Sequence, residues 1–525
     1  MITLLEVQLD YRALAPLIIL FAAGAFGVLI EGIIKKGLRD EAQMIVSALG
    51  ILGALAMAIQ NWRTEEFGVH ALGSVTTDGP TYFIWVLLLV VTLLAMLLVS
   101  ERKLNKGATN FTPLASSVPG SAAEAKAFEV RNEHTEVYPL VLFATFGMML
   151  FASANDFITM FVALEIFSLP LYLLSGMARR RRLLSQEAAL KYFLLGSLTS
   201  AIFLYGTALL YGFSGSLRLS DLAAAIQTNP DSSPALLYGG TVLVLVGLLF
   251  KIGAVPFHSW TPDVYMGAPT QITAYMAIAT KAAAVLAMMR VLYVGLGGIR
   301  WDWQPVVAAL AVLTMLVGSV VALSQTDIKR LLAYSSIAHA GFLLVAIAGA
   351  VTPTTHQKAS VGSVDAVLFY LAAYALATLG AFAIVMMVRK AGGEANNMAA
   401  WTGLGRRHPF IGALMTLFML SFAGIPLTGG FIGKLQVFLA GWAGGYAWLV
   451  LVAVFMSLVA AFFYLRLIVV MFFREPGEAA GGVTVDSPSW MTWTVIIVAA
   501  VGTLALGLWS GPLADLAISA AEFLR

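Results

Sequence analysis

The chain has 525 residues, 60% of them hydrophobic and 11% charged. Soluble domains carry about 25% charged residues, so this composition, with a mean hydropathy of +0.88, places the chain in a membrane. Thirty-one Lys and Arg against 28 Asp and Glu leave a net charge of +3, which makes no case for nucleic-acid binding. With no cysteine, disulfides, Cys-ligated iron–sulfur clusters and thiolate zinc sites are excluded.

A spanning helix needs about 20 apolar residues. Apolar stretches of that order recur at 14–34, 43–61, 81–100, 137–153, 156–177, 187–213, 235–257, 270–293, 304–324, 328–350, 363–389, 408–442, 446–473 and 490–512. The first lacks the basic flank and cleavage site of a signal peptide, so it is predicted to span. The seventh runs into Gly253 and Pro256. The twelfth holds Gly424, Pro426, Gly429, Gly430 and Gly433, and is too long for one straight span. Both are predicted to be broken helices. The loop 101–136 is polar and rich in Ser, Ala and Gly. The chain is therefore expected to be an all-α integral membrane protein of about fourteen transmembrane helices.

Loop charge sets orientation. With an outer N-terminus, nineteen bases fall on inner loops: Lys35, Lys36 and Arg39; Arg102, Lys103, Lys106, Lys126 and Arg131; Arg179 to Arg182; Lys329 and Arg330; Arg389, Lys390, Arg406 and Arg407; and Arg474. Six fall outside: Arg12, Arg63, Arg218, Arg300, Lys358 and Arg525. This asymmetry predicts both termini outside and an even helix count.

Six bases remain within apolar segments: Lys191, Lys251, Lys281, Arg290, Lys434 and Arg466. A charge at the bilayer centre costs at least about 2.5–3.5 kcal/mol. Arg290 and Arg466 lie near helix ends and can snorkel. Lys191 follows Glu187 by four residues, the spacing of a helical surface pair. Lys251, Lys281 and Lys434 have no acidic neighbour in sequence and are the candidate functional bases. Glu165 is their expected partner, on one helical stripe with Ser168 and Tyr172. A desolvated lysine releases its proton, and an approaching carboxylate favours its return. Arginine cannot do this. Such a lysine is a proton site that loads and unloads. His258, seven residues after Lys251, would share its face if the helix continued. His339 lies in a Ser335–His339 helical register and adds relay capacity. A purely structural reading, with the lysines merely paired, is the alternative.

Two matches to known motifs fail. In 428–435, Thr428 stands where a phosphate loop has its first glycine and Leu435 where it has Ser or Thr. The Asn110-Phe111-Thr112 glycosylation sequence falls on an inner loop. No dinucleotide fingerprint follows a strand, and metal-binding H-E-x-x-H is absent. The interrupted segments 250–258 and 422–434 carry a lysine each, five helices apart. Interrupted segments in corresponding positions suggest two inverted repeats, helices 4–8 and 9–13. The organisation read is 1–136, three helices and a polar loop; 137–293 and 304–473, the two five-helix units; and 490–525, a last helix.

The segments 155–172, 187–196, 255–270 and 325–337, together with Gly424-Ile425-Pro426, resemble the antiporter-like membrane subunits of bacterial respiratory complex I. These are relatives of multisubunit sodium/proton antiporters, and the match covers about 137–475. Fourteen helices, no long lateral C-terminal helix, and Lys434 resemble the branch with lysine in helix 12. Its M-type sister branch has glutamate there. Met266 departs from the glutamate of many relatives.

The resemblance implies proton translocation coupled to quinone reduction elsewhere in an NADH–quinone oxidoreductase. It implies that Glu165 modulates Lys251, that Lys281 is central, that His339 relays between halves, and that Lys434 lies nearest the exit or a neighbour. It implies no cofactor in this chain, with NADH, FMN, iron–sulfur clusters and quinone in partner subunits. The partners implied are an M-type subunit, the small J and K membrane subunits, and the lipid of the bacterial inner membrane. A subunit of a cation/proton antiporter without redox partner is the alternative.

Overall fold

The computed structural model describes residues 10–105, 107–111, 117–118, 120–130, 134–228, 233–350, 362–391 and 393–524. Lys106, Arg131, Lys358, Arg525 and Thr112, all used in the sequence reading, lie outside the described residues.

Twelve helices among the described residues are long and apolar enough to cross a membrane. Two further positions, the fourth and twelfth, are filled by Val137–Ser153 and by the broken pair Pro409–Ala423 and Gly429–Ala443. That makes fourteen, in the predicted order. The chain is an all-α integral membrane protein.

The seventh helix runs as Pro234–Ile252 and resumes as Trp260–Gly267. Its break is written in the backbone. Gly253 adopts a left-handed conformation (φ 78°), and its N–H and that of Ala254 turn back to the Leu249 carbonyl. Only glycine takes this conformation without steric cost. The twelfth helix breaks by the same device: Gly424 has φ 79°, and the Gly424 and Ile425 N–H groups return to Leu420. In each, a proline two or three residues later keeps the helix from resuming at once.

Loops gather at two ends. At one end, Asn155 bonds Ser74, Phe157 bonds Leu217, and Leu524 donates to Asp78. A hairpin of Gly68–His70 and Val75–Thr77 sits there. At the other end, Arg179 bonds Asn110, Ile328 bonds Asn396, and Val388–Lys390 pairs with Gly393–Glu394 and Val483–Val485. The inner-loop bases described by the structure belong to this second end. The loop 101–136, read as polar and rich in Ser, Ala and Gly, contains a helix at Ala122–Val130.

Helices Thr270–Arg290, Ile328–Ala348 and Ser363–Met387 are almost wholly buried within the chain and form its central row. Two intramembrane charges hold helix ends in place. Arg290, expected to snorkel, is instead fully buried and bidentate to Asp78 at 2.9 and 2.9 Å, with Thr81 at 2.7 Å. Asp78 also caps the third helix through the Thr81 N–H at 3.0 Å. A guanidinium matches a carboxylate geometrically, so burial selected a pair over exposure. Arg466 does reach a helix end: it donates to Gln325 O at 2.6 Å and to Leu323 O. At the other end, buried Glu101 accepts from the Ser489 N–H at 2.8 Å, the Ser489 hydroxyl at 2.6 Å and Thr492 at 2.7 Å. It ties the third helix to the last, Trp490–Leu508.

Asp78→Ala leaves a buried guanidinium uncompensated and is expected to cost about 3–5 kcal/mol. Thermal unfolding of the purified protein in detergent measures this. Asp78→Leu combined with Arg290→Met is expected to recover most of the loss.

Candidate functional site

The three candidate lysines lie inside the helix array, each 4% exposed or less. Lys251 closes the first half of helix 7, where the break lets its side chain turn toward helix 5. Its Nζ donates to the Ser168 hydroxyl at 2.7 Å. The rings of Phe167, Phe250, Tyr172 and Tyr192 lie 5.2, 5.5, 5.6 and 5.8 Å from it. These faces partly replace lost hydration. Ser168 also donates to the Leu164 carbonyl. Glu165, expected to pair with a lysine, forms no ion pair with Lys251 among the described residues. It is half-buried, and its Oε1 has no hydrogen-bond partner. Of the stripe Glu165–Ser168–Tyr172, Ser168 is the residue that hydrogen-bonds Lys251 and Tyr172 lends its ring.

Lys281 stands mid-helix in Thr270–Arg290. It donates to the Ser336 hydroxyl at 2.7 Å and to the Ser336 carbonyl, beside the Tyr374 ring at 5.2 Å. Lys434 lies in the second half of helix 12. It donates to Ser457 at 2.8 Å and to the Ala423 carbonyl at 3.0 Å, over the Phe342 ring at 4.8 Å. The carbonyl of Ala423 is presented because the break at Gly424 ends the first half-helix there.

His339 lies on the helix Ile328–Ala348, between Ser336, which meets Lys281, and Phe342, which meets Lys434. Its Nδ1 meets the Tyr370 hydroxyl at 2.5 Å and its Nε2 the Tyr464 hydroxyl at 3.1 Å. Tyr464 in turn meets Ser335. Ser335, Ser336 and His339 share one helix with Phe342, so Lys281 reaches its first contact and Lys434 its last. A void of about 10 Å³ opens between His339, Tyr370, Ser421 and the glycines 430 and 433. That is close to the least room that holds one water.

His258 is placed elsewhere. Helix 7 ends at Ile252, so the shared face with Lys251 does not exist. His258 sits in the unwound turn, half-buried, with Nδ1 unbonded. Lys191 forms the expected pair with Glu187 at 2.7 Å and adds Asp263 at 2.8 Å. Asp263 also holds Arg330 at 2.9 Å, so one carboxylate joins helices 6, 7 and 10.

Sequence reasoning missed Tyr370, Tyr374, Tyr464 and Ser457. A signal existed: Tyr370, Tyr374 and Thr378 recur every four residues, one polar line on an apolar helix.

A broken-helix array that buries a row of titratable side chains defines an antiporter-like membrane protein. Residues 154–460 match the transmembrane family described as NADH:quinone oxidoreductase/Mrp antiporter. The chain is 56% identical over 519 residues to NADH-quinone oxidoreductase subunit N of Cutibacterium acnes, covering 99% of this chain and 96% of the relative. It is 49% identical to subunit N of a Nocardioides species, covering 98% and 99%. A chain of respiratory complex I from Thermus thermophilus with bound aureothin superposes with TM-score 0.75 at 34% identity, covering 97% and 100%. The chain belongs to the NADH:quinone oxidoreductase/Mrp antiporter membrane family.

Gly424 is required twice, by its positive φ and by space: an added Cβ would lie 2.8 Å from Lys434 Cδ. Gly424→Ala is expected to displace the lysine and impair transport. Gly239→Ala, where a Cβ would meet a side-chain carbon at 3.6 Å, is expected to be silent in the same assay.

Proposed function

We propose that this chain is the N-type membrane-arm subunit of an NADH–quinone oxidoreductase and that it carries protons across the membrane. The relatives named above support the first part, with near-complete coverage of both chains. One observation carries the second. Three buried ammonium groups are met by hydroxyls, carbonyls and rings, with no carboxylate in bonding reach among the described residues. Arg290, by contrast, is neutralised by Asp78. A group that must gain and lose a proton needs acceptors that tolerate both states, and a hydroxyl can donate or accept.

In this reading Glu165 tunes Lys251 through the Ser168 side. Lys281 is the central site. His339, with Tyr370 and Tyr464, passes protons toward Lys434, which lies nearest the exit. His258 serves from the unwound turn of helix 7, apart from this line. Units 137–293 and 304–473 act as two inverted halves, supported by the like breaks at Gly253 and Gly424. Coupling is conformational and electrostatic, because quinone reduction takes place in partner subunits that hold NADH, FMN and the iron–sulfur clusters. Glu165 lies on a helix face that also exposes Ile158, Val162, Leu169 and Leu173. That face suits a neighbouring membrane subunit, with the M-type subunit and the small J and K subunits as the partners. The basic end faces the cytoplasm across the bacterial inner membrane, with both termini outside.

Lys251→Ala and Glu165→Ala are each expected to cut proton pumping to a small fraction of wild type in complexes that still assemble. The check is the number of protons moved per NADH oxidised, in membrane vesicles with assembly verified by native gels. A wild-type ratio in either assembled variant rejects that residue's role.

Lys281→Met, neutral and nearly isosteric, separates transport from scaffolding. Lost pumping with intact assembly is expected; retained pumping would leave the lysine a packing residue. Co-purification with iron–sulfur subunits separates the oxidoreductase from an antiporter without redox partner.

A further inference from the structure

At the basic end, a cavity of about 450 Å³ opens among the ends of several spanning helices. It lies between the turn after helix 5, the start of Thr270–Arg290, the start of Ile328–Ala348 and the small three-stranded sheet. Six cationic residues line it: Arg179, Arg180, Arg181, Lys329, Arg389 and Lys390. Among the described lining residues Glu394 is the single carboxylate, and it already accepts from Thr270 at 2.6 Å. Asp327 stands 4.0 Å from Arg181, and Asp486 stands 3.7 Å from Arg389.

Several of these cations are held by neutral groups. Arg180 donates to the Ala391 carbonyl at 3.3 Å, Lys390 to Ala479 at 2.8 Å and Lys329 to Ala268 at 2.7 Å. Arg389 donates to Asn105 at 2.6 Å. Such contacts orient a positive charge without cancelling it. Among the described residues six cations face three carboxylates, which makes the site a positive concavity, and the first turn of Thr270–Arg290 adds the positive end of its dipole. One lining amide has a donor to spare: Asn110 Nδ2 is buried without a partner. Nothing in the proton row uses these residues.

We propose that this cavity binds an anion carrying one or two phosphates. Guanidinium forks suit phosphate oxygens, and lysines add point charge. The same chemistry has two sources: a dianionic lipid headgroup, since basic pockets between spanning helices at a membrane surface recognise such groups, or a soluble diphosphate.

The test uses the assembled, delipidated membrane complex and native mass spectrometry. It is titrated separately with diphosphatidylglycerol and with inorganic pyrophosphate. One molecule per copy of this chain is expected to bind. Arg180→Gln with Lys390→Gln, both at the exposed rim, is expected to weaken binding about tenfold, a change of about 1.4 kcal/mol. Arg180→Lys with Lys390→Arg keeps the charge and is expected to restore most of it. Binding of the lipid alone assigns a headgroup site, and binding of pyrophosphate alone a soluble ligand. No binding of either probe, or equal binding by wild type and the double glutamine variant, overturns the proposal.

Discussion

The middle of this molecule is closely packed and largely apolar, and a charge buried there must find most of its solvation in protein. A carboxylate, a hydroxyl, a carbonyl or an aromatic face can each supply part of it, at different cost to the charge's freedom. The fold can be understood as a set of answers to that demand. The central helices are almost wholly buried, so any polar atom they carry must be met by a neighbouring helix.

Arg290 and the three candidate lysines receive different answers. Arg290 is locked by the Asp78 carboxylate, which also caps the third helix, so one pair fixes two elements. The lysines are given neutral partners. Lys251 has Ser168, Lys281 has Ser336, and Lys434 has Ser457 and a helix-end carbonyl. A full carboxylate at bonding distance would hold each ammonium in its charged form. A hydroxyl solvates it while leaving deprotonation open.

The broken helices are part of the same solution. An unbroken helix consumes its own carbonyls, whereas the left-handed glycines 253 and 424 end a half-helix inside the bundle. That frees the Ala423 carbonyl for Lys434, while Lys251, in the last turn of its half-helix, reaches Ser168 of helix 5. Lys251 stands at the end of a first half-helix and Lys434 within a second. At the basic end the opposite situation holds: cations gather at the membrane surface, where water and anions can reach them.

Hydrophobic periodicity and loop charge alone determined the helix number, the two sides, both breaks and the identity of the buried lysines. Those are local or one-dimensional properties: an apolar run must span, a Gly-Pro interruption must break, and an isolated buried base must be unusual. Partner choice was different. The Ser168–Lys251 bond joins residues 83 apart, and the His339–Tyr464 bond joins residues 125 apart. The Arg290–Asp78 pair joins residues 212 apart. Nothing local distinguishes Ser168 from Glu165 as the contact of Lys251, or marks Arg290 as paired. His258 failed for a related reason, because its expected face assumed a helix that Gly253 ends. Only packing in three dimensions decides which polar groups meet, since in a dry interior each group settles on whichever partner the crossing helices bring within hydrogen-bond reach.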